Sequence, residues 1–338
     1  MKKQGSIWQK NRMYDFFRPY VDFCTRCCYA PLTVQGSLPE EGSVIIAPNH
    51  TNTLMDALVV LQSRRGETVF GARADIFRRP FVARILRFLR ILPFSRQRDG
   101  LQAVRDNYRT FEEIDDTLAH GVPFCLFPEG RHRAMHSLLP IGKGVARIAL
   151  ASAQKRRTWL VPTGIDHADF FRVRRATRLR FGEAIDVNAF VAAHAELPEA
   201  ECYRLLREEL GERIKRLILY IPDDADYLSR WMAIQREQQR PAPWWRLPLL
   251  VLAAPFFVLS ALLTLPLWLL AEGLHLSDPA WRNTVRFGTL LAGMPLLGLL
   301  WGILLFATCP WWAAVALLLY FLLSWRIFYD YLKLLQRG

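Results

Sequence analysis

A histidine and an aspartate stand six positions apart in the segment Asn49-His50-Thr51-Asn52-Thr53-Leu54-Met55-Asp56. Imidazole is the side chain best suited to accept a proton near neutral pH. A carboxylate bonded to one ring nitrogen fixes the tautomer and makes the other nitrogen more basic. No Gly-x-Ser-x-Gly segment is present, so the pair suits a reaction in which the substrate's own hydroxyl attacks. Taken alone, such a pair is more often a capping or core contact.

Three further motifs lie downstream of this pair. They are Leu92-Pro93-Phe94-Ser95-Arg96-Gln97-Arg98, Phe127-Pro128-Glu129-Gly130-Arg131-His132-Arg133 and Val161-Pro162-Thr163-Gly164. Each lies at the end of a predicted strand or in the loop that follows it. Because open α/β sheets place their sites at the carboxyl ends of strands, we expect the four motifs to converge at one edge of a sheet.

The elements that must position these motifs alternate along the chain. Predicted strands cover residues 43–47, 68–72, 123–127, 158–162 and 178–181, and predicted helices cover residues 54–62, 77–90, 101–119, 143–155 and 198–219. This alternation predicts an α/β fold with a mainly parallel sheet flanked by helices. Residues six apart on a helix do not share a face. His50 is therefore predicted to lie in the strand–helix turn, before the helix that carries Asp56.

With its four motifs in this order, the chain resembles the glycerolipid and lysophospholipid acyltransferases, the family of 1-acyl-glycerol-3-phosphate acyltransferase, over residues 30–190. The resemblance implies that His50 is the general base and that Asp56 orients it. The substrate-binding residues that it suggests are Asn49, Arg96, Arg98, Glu129, Gly130, Arg131, Arg133 and Lys143.

The reaction implied is the attack of a hydroxyl on an acyl thioester. The donor would be acyl-CoA or acyl-ACP (acyl carrier protein), and the acceptor would be glycerol-3-phosphate or 1-acyl-glycerol-3-phosphate. Arginine suits the acceptor's phosphate because its planar guanidinium forms bidentate hydrogen bonds. The thioester carries the driving force, so the resemblance implies no cofactor and no metal.

Two departures from the family pattern narrow this expectation. Five residues separate His50 from Asp56, whereas four are commonest, and the longer spacing resembles the branch of yeast-type glycerol-3-phosphate acyltransferases and some bacterial relatives. The usual Glu-Gly-Thr-Arg is replaced by the sequence 129–133, Glu-Gly-Arg-His-Arg. Either Arg131 or Arg133 would then contact phosphate. Two alternatives remain: an acyltransferase for a non-phosphate lysolipid, such as a lyso-aminolipid, and an inactive family member acting as a membrane scaffold.

The charge distribution points to an anionic partner. The chain has 338 residues and a net charge of +13, and its basic side chains are concentrated before residue 247. A phospholipid membrane is favoured over nucleic acid, because an almost uncharged tail follows the basic part. The basic run Arg172, Arg174, Arg175, Arg178 and Arg180 is expected to be a solvated strand edge facing anionic lipid.

Four segments are predicted along the chain. Residues 1–32 form an amphipathic helical segment, either interfacial or packed on its own domain, and residues 33–225 form the catalytic domain. Residues 226–246 are a basic linker, and residues 247–338 are a membrane region with two to three spans. A turn is predicted at Thr308-Cys309-Pro310. In one alternative, the proline-containing run 247–271 dips into the membrane and returns.

The expected location is the cell (inner) membrane or an equivalent biosynthetic membrane. Arg230, Arg236, Arg240 and Arg246 precede the first apolar run, which favours a cytoplasmic catalytic domain. A metal site is not expected. The Cys24–Cys27 pair lacks a second ligand pair, and the His132–His136 pair has no glutamate next to its first histidine.

Overall fold

The computed structural model describes residues 6–94, 101–238, 243–274 and 276–336, without the side chains at 101–107 and 238. Its strands are β1 (Tyr29–Gln35), β2 (Ser43–Pro48), β3 (Val69–Arg73), β4 (Ile91–Phe94), β5 (Phe124–Leu126), β6 (Thr158–His167), β7 (Arg175–Phe181) and β8 (Ile185–Asp186). They form a sheet in the order β1-β7-β6-β2-β5-β3-β4, with β8 beside β6. Strand β6 is antiparallel to β7 and β8, and the other neighbours are parallel. The predicted mainly parallel sheet is confirmed.

Helices cover both faces of this sheet. They are α1 (Arg12–Cys28), α2 (Thr53–Gln62), α3 (Pro80–Phe88), α4 (Leu101–Ala119), α5 (Lys143–Ala153), α6 (Val187–Ala193), α7 (Glu199–Leu217) and α8 (Tyr227–Gln238). Side chains alternate along the central strand β2, as a strand requires. Val44 and Ile46 join an apolar cluster with α1 and α2, whereas Ile45 and Ala47 join a cluster with α4, α5 and α7.

The N-terminal helix is shorter than the predicted segment, and a strand follows it. Helix α1 ends at Cys28, and residues 29–35 pair with β7 as an edge strand. Strands β1 and β4 lie at the two edges of the sheet and pair with strands elsewhere in the chain. Such pairing leaves no local periodicity in the sequence, so neither strand was predicted. Cys24 and Cys28 on α1 are buried in the core, as packing on its own domain predicts, whereas Phe16 is exposed and the interfacial interpretation stays a prediction.

Three apolar helical stretches follow the basic part of the chain. They comprise α9 (Arg246–Gly273), then α10 (Arg282–Gly288) continuing through a π-helical turn (Thr289–Gly293) into α11 (Met294–Thr308), and α12 (Trp311–Leu335). Each stretch is long and apolar enough to cross a membrane. The predicted turn before α12 is confirmed. Helix α9 continues through Pro255 and Pro266, so the structure does not contain the alternative in which 247–271 turns back.

A buried arginine connects the apolar helices to the sheet. Arg174 is 6% exposed, and its Nε and Nη2 atoms donate to the two Asp330 carboxylate oxygens, each at 2.8 Å. Its Nη1 atom also donates to the Arg26 carbonyl at 3.2 Å. The expectation of a solvated basic edge is therefore wrong for Arg174, because α12 supplies a carboxylate that sequence periodicity cannot locate.

We expect Arg174→Gln to destabilise the protein by about 1.5–3 kcal/mol, because it removes the hydrogen bonds of the buried guanidinium to the half-exposed Asp330 carboxylate and to the Arg26 carbonyl. Thermal unfolding of the detergent-solubilised protein measures this loss. Arg73→Gln is the matched control, since Arg73 forms an exposed ion pair with Asp75 and such pairs contribute about 0–1 kcal/mol. Equal destabilisation by the two variants would contradict the buried connection.

Candidate functional site

His50 lies in the turn between β2 and α2, as predicted. Its strand ends at Pro48 and the helix begins at Thr53. The His50 Nδ1 atom is 2.9 Å from Asp56 Oδ2. The other ring nitrogen, Nε2, has no hydrogen-bond partner among the described residues, and the side chain is 16% exposed. The turn thus presents one nitrogen to the carboxylate and leaves the other available.

Asp56 is completely buried and accepts four hydrogen bonds. Its Oδ2 atom accepts from His50 Nδ1 and, at 2.7 Å each, from the backbone N–H groups of Thr51 and Asn52. Its Oδ1 atom is 2.8 Å from His167 Nε2. The backbone bonds explain how a carboxylate six positions away reaches His50, because they close the turn around it.

The environment keeps Asp56 ionised. Burial raises the pKa of its carboxyl group, but the hydrogen bonds from His167 and His50 outweigh burial and hold the pKa well below its usual range. An ionised carboxylate at this position accepts a hydrogen bond from His50 Nδ1–H and so favours the tautomer that carries its proton on Nδ1. The Nε2 lone pair of that tautomer is then free to receive a proton.

His167 is a site residue that sequence reasoning missed. It ends β6, has no exposed surface, and its Nδ1 atom lies 3.0 Å from Thr177 Oγ1 on β7. The threonine hydroxyl donates to Nδ1 when His167 Nε2–H donates to Asp56. The only signal was its position after the fourth motif, because the contact with Asp56 spans 111 residues.

Thr53 adopts an unusual backbone conformation at the start of α2, with φ +44°. Positive φ is disfavoured for a β-branched residue and costs about 1–3 kcal/mol. Its hydroxyl lies 2.5 Å from Thr284 Oγ1 on α10. The turn with five residues between histidine and aspartate is therefore held partly by a contact from the apolar helices.

Glu129 braces the same turn. Its Oε1 atom accepts from the His50 backbone N–H at 2.6 Å, and Oε2 accepts from the Leu139 N–H at 2.8 Å. Burial raises the pKa of this carboxyl group to about 7, although both N–H bonds oppose the shift. Because its oxygens are engaged with backbone, Glu129 has the geometry of a support for His50.

Asn49 is also engaged with backbone. Its Nδ2 atom donates to the Ile165 carbonyl at 3.0 Å, and its Oδ1 atom accepts from the Ile165 N–H at 2.6 Å. With 1% of its surface exposed, the side chain joins the end of β2 to β6. This joint fixes the backbone position from which His50 projects.

The cations suggested for phosphate binding differ in their engagement. Arg133 pairs with Asp223 at 2.5 Å and donates to Ser137 Oγ at 2.7 Å. Arg131 and Lys143 are exposed, and their side chains have no hydrogen-bond or ion-pair partner within the described ranges. Gly130, with φ +65°, forms the turn that precedes Arg131. Arg96 and Arg98 lie outside the described residues.

Aromatic rings border His50. Its imidazole stacks on Phe127, with ring centroids 4.1 Å apart, and the ring of His132 meets it edge-on at 5.7 Å. The third motif therefore supports the turn through Glu129 and places the rings of Phe127 and His132 beside His50. In this arrangement, His50 Nε2 can accept a proton from a hydroxyl group. The same motif carries exposed positive charge.

Two comparisons show what the chain is similar to among known proteins. Residues 31–176 match the family model described as Acyltransferase. Among solved structures, the chain is similar to the crystal structure of the 1-acyl-sn-glycerophosphate (LPA) acyltransferase PlsC from Thermotoga maritima. That match has 21% sequence identity and a TM-score of 0.45, and it covers 62% of this chain and 83% of that one.

We expect His167→Asn to lower kcat/KM about 10- to 100-fold, the value of a hydrogen bond to a charged group. The ionised Asp56 stabilises the folded state because its pKa is lower there than in the unfolded chain, so this stability is lost as pH falls through the folded pKa. Without His167 that pKa rises, and the acid unfolding transition moves to higher pH. Circular dichroism against pH measures the transition.

His194→Asn is the control, since in the described part of the chain the His194 side chain has a single hydrogen bond, from Nδ1 to the Phe190 carbonyl of α6. An acid transition that stays at the same pH in His167→Asn would contradict the role assigned to His167.

Proposed function

We propose that the protein, of which residues 31–176 match the family model described as Acyltransferase, is a membrane-bound O-acyltransferase of phospholipid biosynthesis. It transfers a fatty acyl group from an acyl thioester to the hydroxyl of glycerol-3-phosphate or 1-acyl-glycerol-3-phosphate. The observation that carries the proposal is the His50–Asp56 pair, in which Nδ1 is bonded to the buried carboxylate and Nε2 is available.

The proposed reaction uses His50 twice. Its Nε2 atom takes the proton of the acceptor hydroxyl while that oxygen forms a bond to the thioester carbonyl carbon. The tetrahedral intermediate then collapses, the carbon–sulfur bond breaks, and the leaving thiolate receives the proton held by His50. Asp56 stabilises the imidazolium between these steps without itself taking the proton. The donor is acyl-CoA or acyl-ACP, and the chemistry requires no metal.

Free cations favour a phosphate acceptor over a non-phosphate lysolipid. Arg131 follows the turn that braces His50, and Lys143 begins α5. Within the described ranges, neither has a side-chain partner to compete for an anion. Arg131 can grip a phosphate by two parallel hydrogen bonds, whereas Arg133 is committed to Asp223. We therefore assign the phosphate contact to Arg131.

The apolar helices support a membrane location. Side chains such as Leu252, Leu299 and Leu319 are exposed along them, and each helical stretch is long enough to span a bilayer. An acyl chain of the acceptor or product would remain in the bilayer while the headgroup reaches the turn. Arginines before α9 favour a cytoplasmic catalytic face, at the cell membrane or an equivalent biosynthetic membrane.

His50→Ala is expected to lower acyl transfer by about 10²- to 10⁴-fold, the range for a general base, while the protein stays in the membrane fraction. Transfer of a radiolabelled acyl group from acyl-CoA or acyl-ACP to glycerol-3-phosphate and lysophosphatidate measures the loss. His120→Ala is the control, because His120 is exposed just after the end of α4, where its ring lies near Asp116. Near wild-type turnover in His50→Ala would overturn the mechanism.

Substitutions of Arg131 and of Arg133 should have different effects on kinetics and stability. Arg131→Gln is expected to raise the KM for a phosphate-bearing acceptor about 10- to 100-fold, with the donor KM and the thermal stability unchanged. Arg133→Gln should lower thermal stability, because it removes the Asp223 and Ser137 contacts. An Arg131 variant with an unchanged acceptor KM, or one equally impaired with a lyso-aminolipid, would contradict a phosphate contact at this residue.

A further inference from the structure

The segment that leads from α9 into α11 and includes α10 lies directly on the candidate site. Thr284 contacts Thr53 in the His50–Asp56 turn. Asn283 Nδ2 donates to the Phe170 carbonyl at 2.9 Å, and Arg286 Nη1 donates to the Phe171 carbonyl at 2.6 Å. These contacts fix α10 against both the turn and the loop after β6. Residues 276–288, the docking segment, therefore belong to the surroundings of His50.

The docking segment supplies a carboxylate to the third motif. Asp278 Oδ2 is 2.9 Å from His132 Nε2. The second carboxylate oxygen accepts the Ala280 N–H at 2.9 Å and so caps the short helix that follows. The Trp281 ring meets the His132 ring edge-on, with centroids 5.9 Å apart. The hydrogen bond from the Ala280 N–H thus fixes the Asp278 carboxylate while that carboxylate bonds the His132 imidazole.

This contact determines which nitrogen of His132 can meet a substrate. With Nε2 directed to Asp278, Nδ1 is the remaining hydrogen-bonding atom, and no partner for it is found in the described part of the chain. The centroid of the His132 ring lies 5.7 Å from that of the His50 ring. In sequence, His132 directly follows Arg131. A hydroxyl that reaches His50 therefore approaches beside the His132 imidazole.

We propose that the apolar C-terminal region completes the active site, with Asp278 as a positioning residue that orients His132 and His132 as a contact for the acceptor between Arg131 and His50. The proposal rests on the acyl transfer proposed above. It makes acceptor binding depend on the docking segment, so catalysis requires α10 to be seated on the turn.

A kinetic double-mutant cycle tests the pair. Asp278→Asn keeps an oxygen that can cap Ala280 but removes the charge, and His132→Gln removes the imidazole. Each is expected to raise the acceptor KM about tenfold, with little change in donor KM or kcat. The double variant should be no worse than either single variant, because the two residues act as one unit. Additive losses, or a loss confined to kcat with lowered thermal stability, would overturn the pairing.

A matched His–Asp pair provides the control. His120 Nδ1 lies 3.3 Å from Asp116 Oδ1 at the C-terminal end of α4, outside the candidate site. Asp116→Asn and His120→Gln should leave the acceptor KM within about twofold of the wild-type value. If these variants raise the acceptor KM as much as Asp278→Asn does, the effect is not specific to the site and the proposal fails.

A disulfide tests the docked arrangement independently of turnover. The double variant Thr53→Cys, Thr284→Cys is expected to form a crosslink in nanodisc-embedded protein after mild oxidation, because the two hydroxyls are in contact. Thr53→Cys paired with Thr308→Cys, at the far end of α11, should not crosslink. Failure of the first pair would refute docking. A crosslink in a protein that transfers no acyl group to any acceptor would refute the proposed function and, with it, the acceptor contact.

Discussion

The buried carboxylate of Asp56 is the interaction on which the rest of the site depends. It is charged, fully enclosed, and tolerable there only because two backbone N–H groups and two imidazoles donate to it. An unpaired carboxylate in such a place would be protonated or would unfold the turn. The same four hydrogen bonds join β2, α2 and β6. The contacts that keep Asp56 ionised therefore also assemble the site.

Support for His50 comes from several distant parts of the chain. Glu129 holds its backbone N–H, Phe127 stacks on its ring, and Asn49 fixes the strand end before it. The turn itself includes a threonine at positive φ that contacts α10. Several elements together therefore position the imidazole. Thr284 also connects the apolar helices to the turn.

The sequence predicted the position of His50 better than it predicted the residues that support His50. The strand–helix turn at His50 followed from the period of the flanking elements and from the geometry of a six-residue separation, and the structure confirms it. His167 and Asp278 escaped because their contacts cross 111 and 146 residues, and no local period records such pairings. Arg174 was misjudged for the same reason: its partner Asp330 lies on the last helix. The arginines Arg96 and Arg98 stay predictions.

The most direct measurement is acyl transfer by the purified wild-type protein in lipid nanodiscs, with each thioester donor crossed against each acceptor. We expect glycerol-3-phosphate or 1-acyl-glycerol-3-phosphate to become acylated in a thioester-dependent reaction that releases free thiol in equal amount. We also expect little transfer to lyso-aminolipid. Thioester turnover with the lyso-aminolipid alone would contradict the phosphate acceptor, and no turnover with any pair would contradict the central claim.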